Sequence, residues 1–316
     1  MPQMIAAFFP GQGSQSVGML HALAEVHPDV RATFQEASDA LGVDLWRLAS
    51  EGPKADLDLT RNTQPAMLAA GVAVWRVWQA VGGVKPVVMA GHSLGEYSAL
   101  VAAGSMDFAD GVLLAAERAR FMQEAVPAGE GAMAAVLGLS DQEMIALCRE
   151  QAEDAVLEAA NFNAPGQVVI AGGSAAVARA LDAAKAAGAK RAIALPVSVP
   201  SHCALMRPAA ERLAERLAAI EIRLPEVPVL HNVSVVRAAD PDTLRELLIR
   251  QLYSPVRWVE TIQAVVGEGV RTAIECGPGK VLTGLNKRID DSLTTLPVFD
   301  PRSLEAALEA TAHAQR

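Results

Sequence analysis

The pentapeptide Gly91-His92-Ser93-Leu94-Gly95 constrains this chain more than any other stretch of it. It follows an apolar run at 84–90 and precedes a segment with helical character from about residue 96. An apolar run bounded by turn residues reads as a buried strand, so the pentapeptide has to convert a strand into a helix within five residues. Small residues at both ends permit so tight a turn, and the turn leaves the serine hydroxyl exposed at its apex. The same pattern also occurs in ordinary glycine-flanked turns, so its meaning depends on the rest of the chain.

The strand-then-helix rhythm recurs. Residues 5–9 form an apolar run closed by Pro10-Gly11, followed by a glycine-rich loop and a helical stretch at 19–40. Helices are expected at 63–81 and at 107–125, the latter with Asp107 as N-cap. Further on, strands at 227–233, 271–276 and 293–299 alternate with helices at 208–220, 243–252 and 255–266. Such alternation predicts a mainly parallel sheet covered by helices. The middle differs: a strand at 131–139, a helix at 141–150 capped by Ser140, strands at 155–161 and 167–171, a helix at 174–187 and a strand at 191–197. That order, βαββαβ, is ferredoxin-like and can fold as its own unit. The expected fold class is therefore α/β, with a small domain at 129–198 inserted into a large domain made of 1–128 and 199–316.

Composition narrows the function classes. The chain has 316 residues, of which 51% are hydrophobic, too many for a disordered protein. With 27 Lys+Arg against 36 Asp+Glu, its net charge of −9 lacks the basic footprint of a general nucleic-acid binder. Cys148, Cys203 and Cys276 are odd in number and far apart, which points to reduced thiols in a cytoplasmic protein and to no zinc site. Residues 1–10 have neither a basic start nor a long apolar run, and the apolar stretch at 65–81 is interrupted by Arg76 and Gln79. No membrane association is expected.

Serine needs a base to act as a nucleophile. Of six histidines, His92 adjoins Ser93 on the tight turn and is expected to point away from it, while His21, His27 and His313 lie in polar helices or the tail. His231 falls within an apolar run, the usual setting of a core histidine. His202 follows Pro200-Ser201 where the chain re-enters the large domain, and a loop beside a sheet end favours it as the base. No aspartate completes a triad, so a backbone carbonyl is the expected holder of the imidazole tautomer. The loop Gly11-Gln12-Gly13-Ser14-Gln15 suggests a dinucleotide fingerprint, but Ser16 stands where the third glycine belongs. Its other use is to bring a backbone N–H such as that of Gln12 to the nucleophile, beside the free amides that open the next helix. Arg118 and Met122 share a helix face with Leu114 and Ala115. An arginine there either pairs with Glu117 or Glu124 or captures a substrate carboxylate, which a planar guanidinium does best.

Five ordered blocks now carry a resemblance. Phe9-Pro10-Gly11-Gln12-Gly13-Ser14-Gln15, Gly91 to Leu100, Ser201-His202-Cys203-Ala204-Leu205-Met206, Tyr253-Ser254-Pro255-Val256-Arg257-Trp258 and Gly277 to Leu285 resemble the malonyl-CoA:acyl carrier protein transacylase family over residues 8 to 289. The resemblance implies an α/β-hydrolase-like large domain with a ferredoxin-like insert. It implies Ser93 as acylated nucleophile, His202 as its base, and Gln12 and Leu94 as oxyanion-hole amides. Arg118 would hold the malonyl carboxylate, and Gln251 would orient His202 through its backbone carbonyl. Met122, Asn161 and Asn163 match family positions near the pocket.

The implied partners are malonyl-CoA and the acyl carrier protein, with no cofactor, in fatty acid synthesis, and a monomer is expected. Cys276 stands where the family often has Val or Leu. Val199-Pro200-Ser201-His202 matches neither the His-Ala-Phe-His nor the Tyr-Ala-Ser-His run of polyketide synthase domains, so malonyl specificity follows from family type. The basic pairs Lys190-Arg191 and Lys287-Arg288 are candidate rims for coenzyme A or carrier protein, and each is equally able to be a solvated face. The rival readings are a serine hydrolase or thioesterase, a non-catalytic carrier-protein-binding module and, more distantly, a nucleotide-dependent oxidoreductase.

Overall fold

The computed structural model describes residues 4–197 and 199–312, so His313 and residue 198, the end of the expected insert, lie outside the described residues. The strands are β1 (Ile5–Phe9), β2 (Val88–Gly91), β3 (Gly131–Leu137), β4 (Leu157–Ala164), β5 (Gln167–Gly173), β6 (Arg191–Ala194), β7 (Val229–Leu230), β8 (Thr272–Cys276) and β9 (Thr294–Val298). They form two sheets. One is five-stranded and parallel in the order β7-β2-β1-β8-β9; the other is four-stranded and antiparallel in the order β4-β5-β3-β6. The fold is α/β, and the second sheet with its two helices has the ferredoxin-like order.

β1 is the middle strand of the parallel sheet and is buried along its whole length. In register, Phe9 lies beside Gly91 at the carboxyl ends of β1 and β2. The loop after β1, with Gln12, and the turn after β2, with Ser93, therefore leave the sheet side by side. This is where ligands bind in open parallel sheets. The turn is as tight as its glycines allow. A Cβ on Gly95 would stand 2.0 Å from the Phe9 carbonyl oxygen, and one on Gly91 would stand 1.9 Å from Gly95. Neither contact can relax, because both partners are backbone.

Several elements are shorter than their hydrophobic runs, for local reasons. The expected 19–40 helix is two, His21–Val26 and Pro28–Leu41, because a proline starts a helix more readily than it continues one. β2 begins only at Val88, since Pro86 offers no N–H to a ladder and the Val84 carbonyl is taken by the Trp78 indole at 3.0 Å. β6 stops before Pro196 for the same lack of a donor. β7 keeps two residues of the expected seven because His231 and Asn232 turn away to side-chain partners described below. Asp107 is the N-cap residue of the Phe108–Glu124 helix, but its carboxylate pairs with Arg223 and makes no cap bond. Ser140, by contrast, forms a full capping box with Glu143.

The helix expected from 255 starts at Trp258 because Val256 is extended. Val256 donates to the Ala160 carbonyl at 2.9 Å and accepts from Phe162 at 3.0 Å, which joins β4 to the segment leading back under the parallel sheet. β4 carries register shifts beside Asn161 and Asn163, and bulges of this kind re-aim side chains. Gly95→Ala is expected to lower stability by about 3 kcal/mol, the upper range for forcing atoms into a packed site. Urea denaturation checks this; an unchanged midpoint would show that the helix can step back from Phe9 at no cost.

Candidate active site

Ser93 occupies the junction of β2 and the Leu94–Ala102 helix with φ 53° and ψ −111°. A positive φ is strained for any residue with a Cβ, and strain of this kind persists only where neighbours over-determine it. Three contacts do so here. The Ser93 N–H donates to Asn232 Oδ1 at 2.7 Å, its carbonyl accepts from Gln251 Nε2 at 3.0 Å, and its Oγ stands 2.7 Å from His202 Nε2.

His202 is also at positive φ, 63°, and its backbone N–H donates to the Leu252 carbonyl at 2.9 Å. Its Nδ1 faces the Gln251 carbonyl at 2.8 Å. A carbonyl only accepts, so the ring proton is assigned to Nδ1 and Nε2 is left as the acceptor facing the serine hydroxyl. His202 is buried, and burial together with the positive charge of Arg118 pushes its pKa down to about 3. The imidazole is thus neutral across the physiological range, the state a base requires.

Arg118 projects from the Phe108–Glu124 helix and is 1% exposed. Neither carboxylate considered from the sequence pairs with it: Glu117 is taken by Arg216, and Glu124 by Arg212 and Arg120. Its guanidinium donates instead to Gln64 Oε1 at 2.8 Å, to Gln251 Oε1 at 3.1 Å and to Ser93 Oγ at 3.3 Å. It also lies over the Tyr97 ring at 5.3 Å, and its Nε has no partner among the described residues. A buried cation held by neutral oxygens beside a serine hydroxyl can still accept an anionic group.

Ser93, His202, Arg118 and Gln64 line one cleft of about 130 Å³, together with Gln12, Leu94, Met122 and Asn161. Leu94 is the first residue of its helix, where amides have no intrahelical acceptor. The Gln12 side chain reaches Thr60 at 3.4 Å, and Gln15 accepts from the Gly13 N–H at 2.7 Å and donates to Asp58 at 2.9 Å, which pins the loop. Met122 Sδ is contacted by Gln64 Nε2 at 3.7 Å. Asn161 Oδ1 is buried without a partner among the described residues. Asn163 bonds the His92 ring at 2.7 Å, and that ring packs at 5.5 Å from Trp258, so His92 is fixed along the cleft wall and makes no bond to Ser93. A larger cavity of about 630 Å³ lies elsewhere, lined by Leu41, Arg61, Pro65 and Arg120; none of the predicted residues reaches it.

The basic pairs are not brought to the cleft. Arg191 begins β6, four residues before the cleft-lining Leu195, roughly 13 Å away along a strand. Arg288 is occupied in structure, donating to Gln167 Oε1 and to the Pro165 carbonyl at 3.4 Å, which ties its helix to the β4–β5 turn; Lys287 is exposed beside it.

Sequence reasoning missed three residues. Gln64 holds Arg118; Asn232 holds Ser93; and Glu96, fully buried, accepts from Gln251 Nε2, the Asn232 N–H and His231 Nδ1 at 2.9, 2.9 and 2.7 Å. A partial signal existed for Glu96, the one charged side chain in the short apolar helix Leu94–Ala102; Gln64 follows a polar run at 60–63 and gave none. His231 is a core histidine as expected, though only half satisfied: its Nε2 is unpartnered among the described residues.

The acyl transferase domain family matches residues 8–296. The malonyl CoA-acyl carrier protein transacylase of Escherichia coli strain K12 is 57% identical over 304 residues, 96% of this chain and 98% of that protein. This chain belongs to the malonyl CoA-acyl carrier protein transacylase family. The Bacillus subtilis transacylase is 47% identical over 96% of each chain. Among solved structures, the Coxiella burnetii transacylase superposes with a TM-score of 0.98 at 51% identity, covering 99% of both chains. A malonyl-transacylase in complex with a type II PKS acyl-carrier protein superposes with a TM-score of 0.96 at 54% identity, covering 98% of this chain and 100% of that one.

The histidine makes a pH prediction. Its folded-state pKa lies below the unfolded value near 6.5, so above that pH it contributes nothing to stability, and below it the unfolded chain gains a proton that the native state refuses. Stability should fall as pH drops from about 6.5 toward 3. Modification of Ser93 by a fluorophosphonate should keep its rate between pH 7 and 5; an inflection at 6.5 would contradict a buried, neutral base.

Proposed function

We propose that this protein moves a malonyl group from malonyl-CoA to the phosphopantetheine thiol of an acyl carrier protein through a malonyl ester on Ser93, for fatty acid synthesis. The observation that carries the reading is Arg118: a buried guanidinium 3.3 Å from Ser93 Oγ with no carboxylate of its own. A plain thioesterase for neutral acyl groups has no use for it.

His202 Nε2 takes the Ser93 proton as Oγ attacks the thioester carbonyl. The oxyanion forms toward the Leu94 and Gln12 amides, each donor worth about 3 kcal/mol of barrier. The tetrahedral centre collapses, the C–S bond breaks, and His202 returns the proton to the leaving thiolate of coenzyme A. The carrier-protein thiol then attacks malonyl-Ser93 by the same steps in reverse order. One thioester replaces another, so the transfer is close to balanced and its steps call for no metal or redox cofactor. Arg118 fixes the carboxylate, which aligns the carbonyl with Oγ. The cleft shares Gln12, Thr60, Leu195 and Val197 with an adjoining cavity of about 440 Å³, which is the side from which we infer that the pantetheine arm enters.

Three unpaired, buried cysteines favour a reducing compartment, the cytoplasm, and burial raises all three thiols above the usual range, so they compete poorly with Ser93 as nucleophiles. No helix among the described residues is long and apolar enough to cross a membrane. Intact-protein mass spectrometry with malonyl-CoA is expected to show one malonyl adduct, absent in Ser93→Ala. Arg118→Ala should load malonyl at least about tenfold more slowly while gaining acetyl. An adduct that survives Ser93→Ala, or unchanged malonyl over acetyl preference in Arg118→Ala, sinks the assignment.

A further inference from the structure

Burying a guanidinium without a counter-charge is costly, yet the three groups that Arg118 touches as a donor are all neutral. The next group in the network is charged. Gln251 Oε1 accepts from Arg118 at 3.1 Å, and the Nε2 of the same amide donates to Glu96 Oε2 at 2.9 Å. Glu96 is thus one amide away from the guanidinium.

The polarity of this relay is the same from both ends: Arg118 only donates and so meets Gln251 Oε1, while Gln251 Nε2 donates to the Ser93 carbonyl at 3.0 Å as well as to Glu96. His231 Nδ1 faces Glu96 Oε1 at 2.7 Å, and a carboxylate oxygen there accepts, which assigns the ring proton to Nδ1; Nε2 has no partner among the described residues. With the Asn232 N–H and Gln251 Nε2, three donors converge on a carboxylate that only accepts. Gln251 must therefore turn its NH₂ toward Glu96 and its carbonyl oxygen toward Arg118. A carboxylate in direct contact with Arg118 would compete with the carboxylate of the acyl group. Set back by one amide, it balances the buried charge and leaves the guanidinium's remaining N–H groups open. A second arm serves the nucleophile: Asn232, whose N–H Glu96 holds, accepts from the Ser93 N–H and donates to the Gly91 carbonyl, both at 2.7 Å.

We propose that Glu96 is a positioning residue for acyl selectivity, balancing the Arg118 charge from behind the Gln251 amide so that the guanidinium stays open toward the carboxylate of a dicarboxylic acyl group. This rests on the transfer activity proposed above. Glu96→Gln removes the negative charge behind Gln251: even with its NH₂ turned to His231, whose proton then sits on the unpartnered Nε2, the amide keeps the bonds to Asn232 and Gln251 but no longer balances Arg118.

The test is Ser93 loading from malonyl-CoA and from acetyl-CoA, followed by intact mass, with thermal denaturation as the check on folding. In Glu96→Gln, malonyl loading should fall about tenfold more than acetyl loading. The double variant Glu96→Gln/Arg118→Ala should show a malonyl-to-acetyl ratio no lower than Arg118→Ala alone. Asn232→Ala should slow both acyl groups equally, since it acts on the serine turn and not on Arg118. A folded Glu96→Gln protein with the wild-type ratio, or with equal loss for both acyl groups, overturns the proposal. If Glu96→Gln does not fold, Gln251→Met removes the relay, and a retained ratio there overturns it equally. Wild-type protein that takes no malonyl refutes the transfer reading and this inference with it, whereas wild type that loads beside an unchanged variant ratio refutes the inference alone.

Discussion

Three backbone segments meet at the end of the parallel sheet with no space for a side chain between them. Gly95 sits against the Phe9 carbonyl, Gly91 against Gly95, and Gly11 against the His92 carbonyl, where an added Cβ would stand 2.5 Å away. This contact brings the loop after β1 and the turn after β2 into one place. It forces Ser93 to positive φ and aims its hydroxyl out of the sheet. It also puts the amide that opens the next helix beside the glycine loop that carries Gln12. Nucleophile position and oxyanion geometry are thus two consequences of one steric condition.

The second condition is electrostatic. Arg118, Glu96, His202 and His231 are all buried, and none is exposed by more than 2%. A buried charge is tolerated when every neighbour contributes a fixed dipole. Here the Gln64, Gln251 and Asn232 amides do so, and each serves two partners at once. Gln251 is the most connected: its backbone carbonyl holds His202, its Oε1 meets Arg118, and its Nε2 meets both Ser93 and Glu96. The net charge of −9 says nothing about such a site, because its potential is set by groups within a few ångströms and shielded from solvent.

The smaller sheet supplies the far wall. β4 is tied to Val256 by backbone bonds, Asn163 holds His92, and Arg288 grips the β4–β5 turn. The basic pair at Lys287 and Arg288 drew notice as a possible docking rim, yet its arginine secures this wall. Position on an exposed helix end could not distinguish the two uses, because both call for the same charge.

Much of the architecture was legible along the chain. The apolar run before Gly91, the glycine spacing and the βαββαβ order follow from local rules, since steric limits at glycine and the periodicity of burial act over a few residues. Ser93 and His202 could be singled out because each stands in a loop next to an apolar strand. Partners were not legible. Arg118 could be read equally as pairing with Glu117 or Glu124, because helix spacing predicts neighbours on the same helix and knows nothing of the helix packed across from it. The same reason hid Gln64, Glu96 and Asn232, whose bonding partners include residues 54, 135 and 139 positions away. By itself, then, the sequence determined where the chain must turn tightly and which residue types stand at the turns. Only the tertiary structure decided which buried donors face which acceptors, because that depends on the packing of segments distant in the chain, where desolvation makes every unpaired polar group costly.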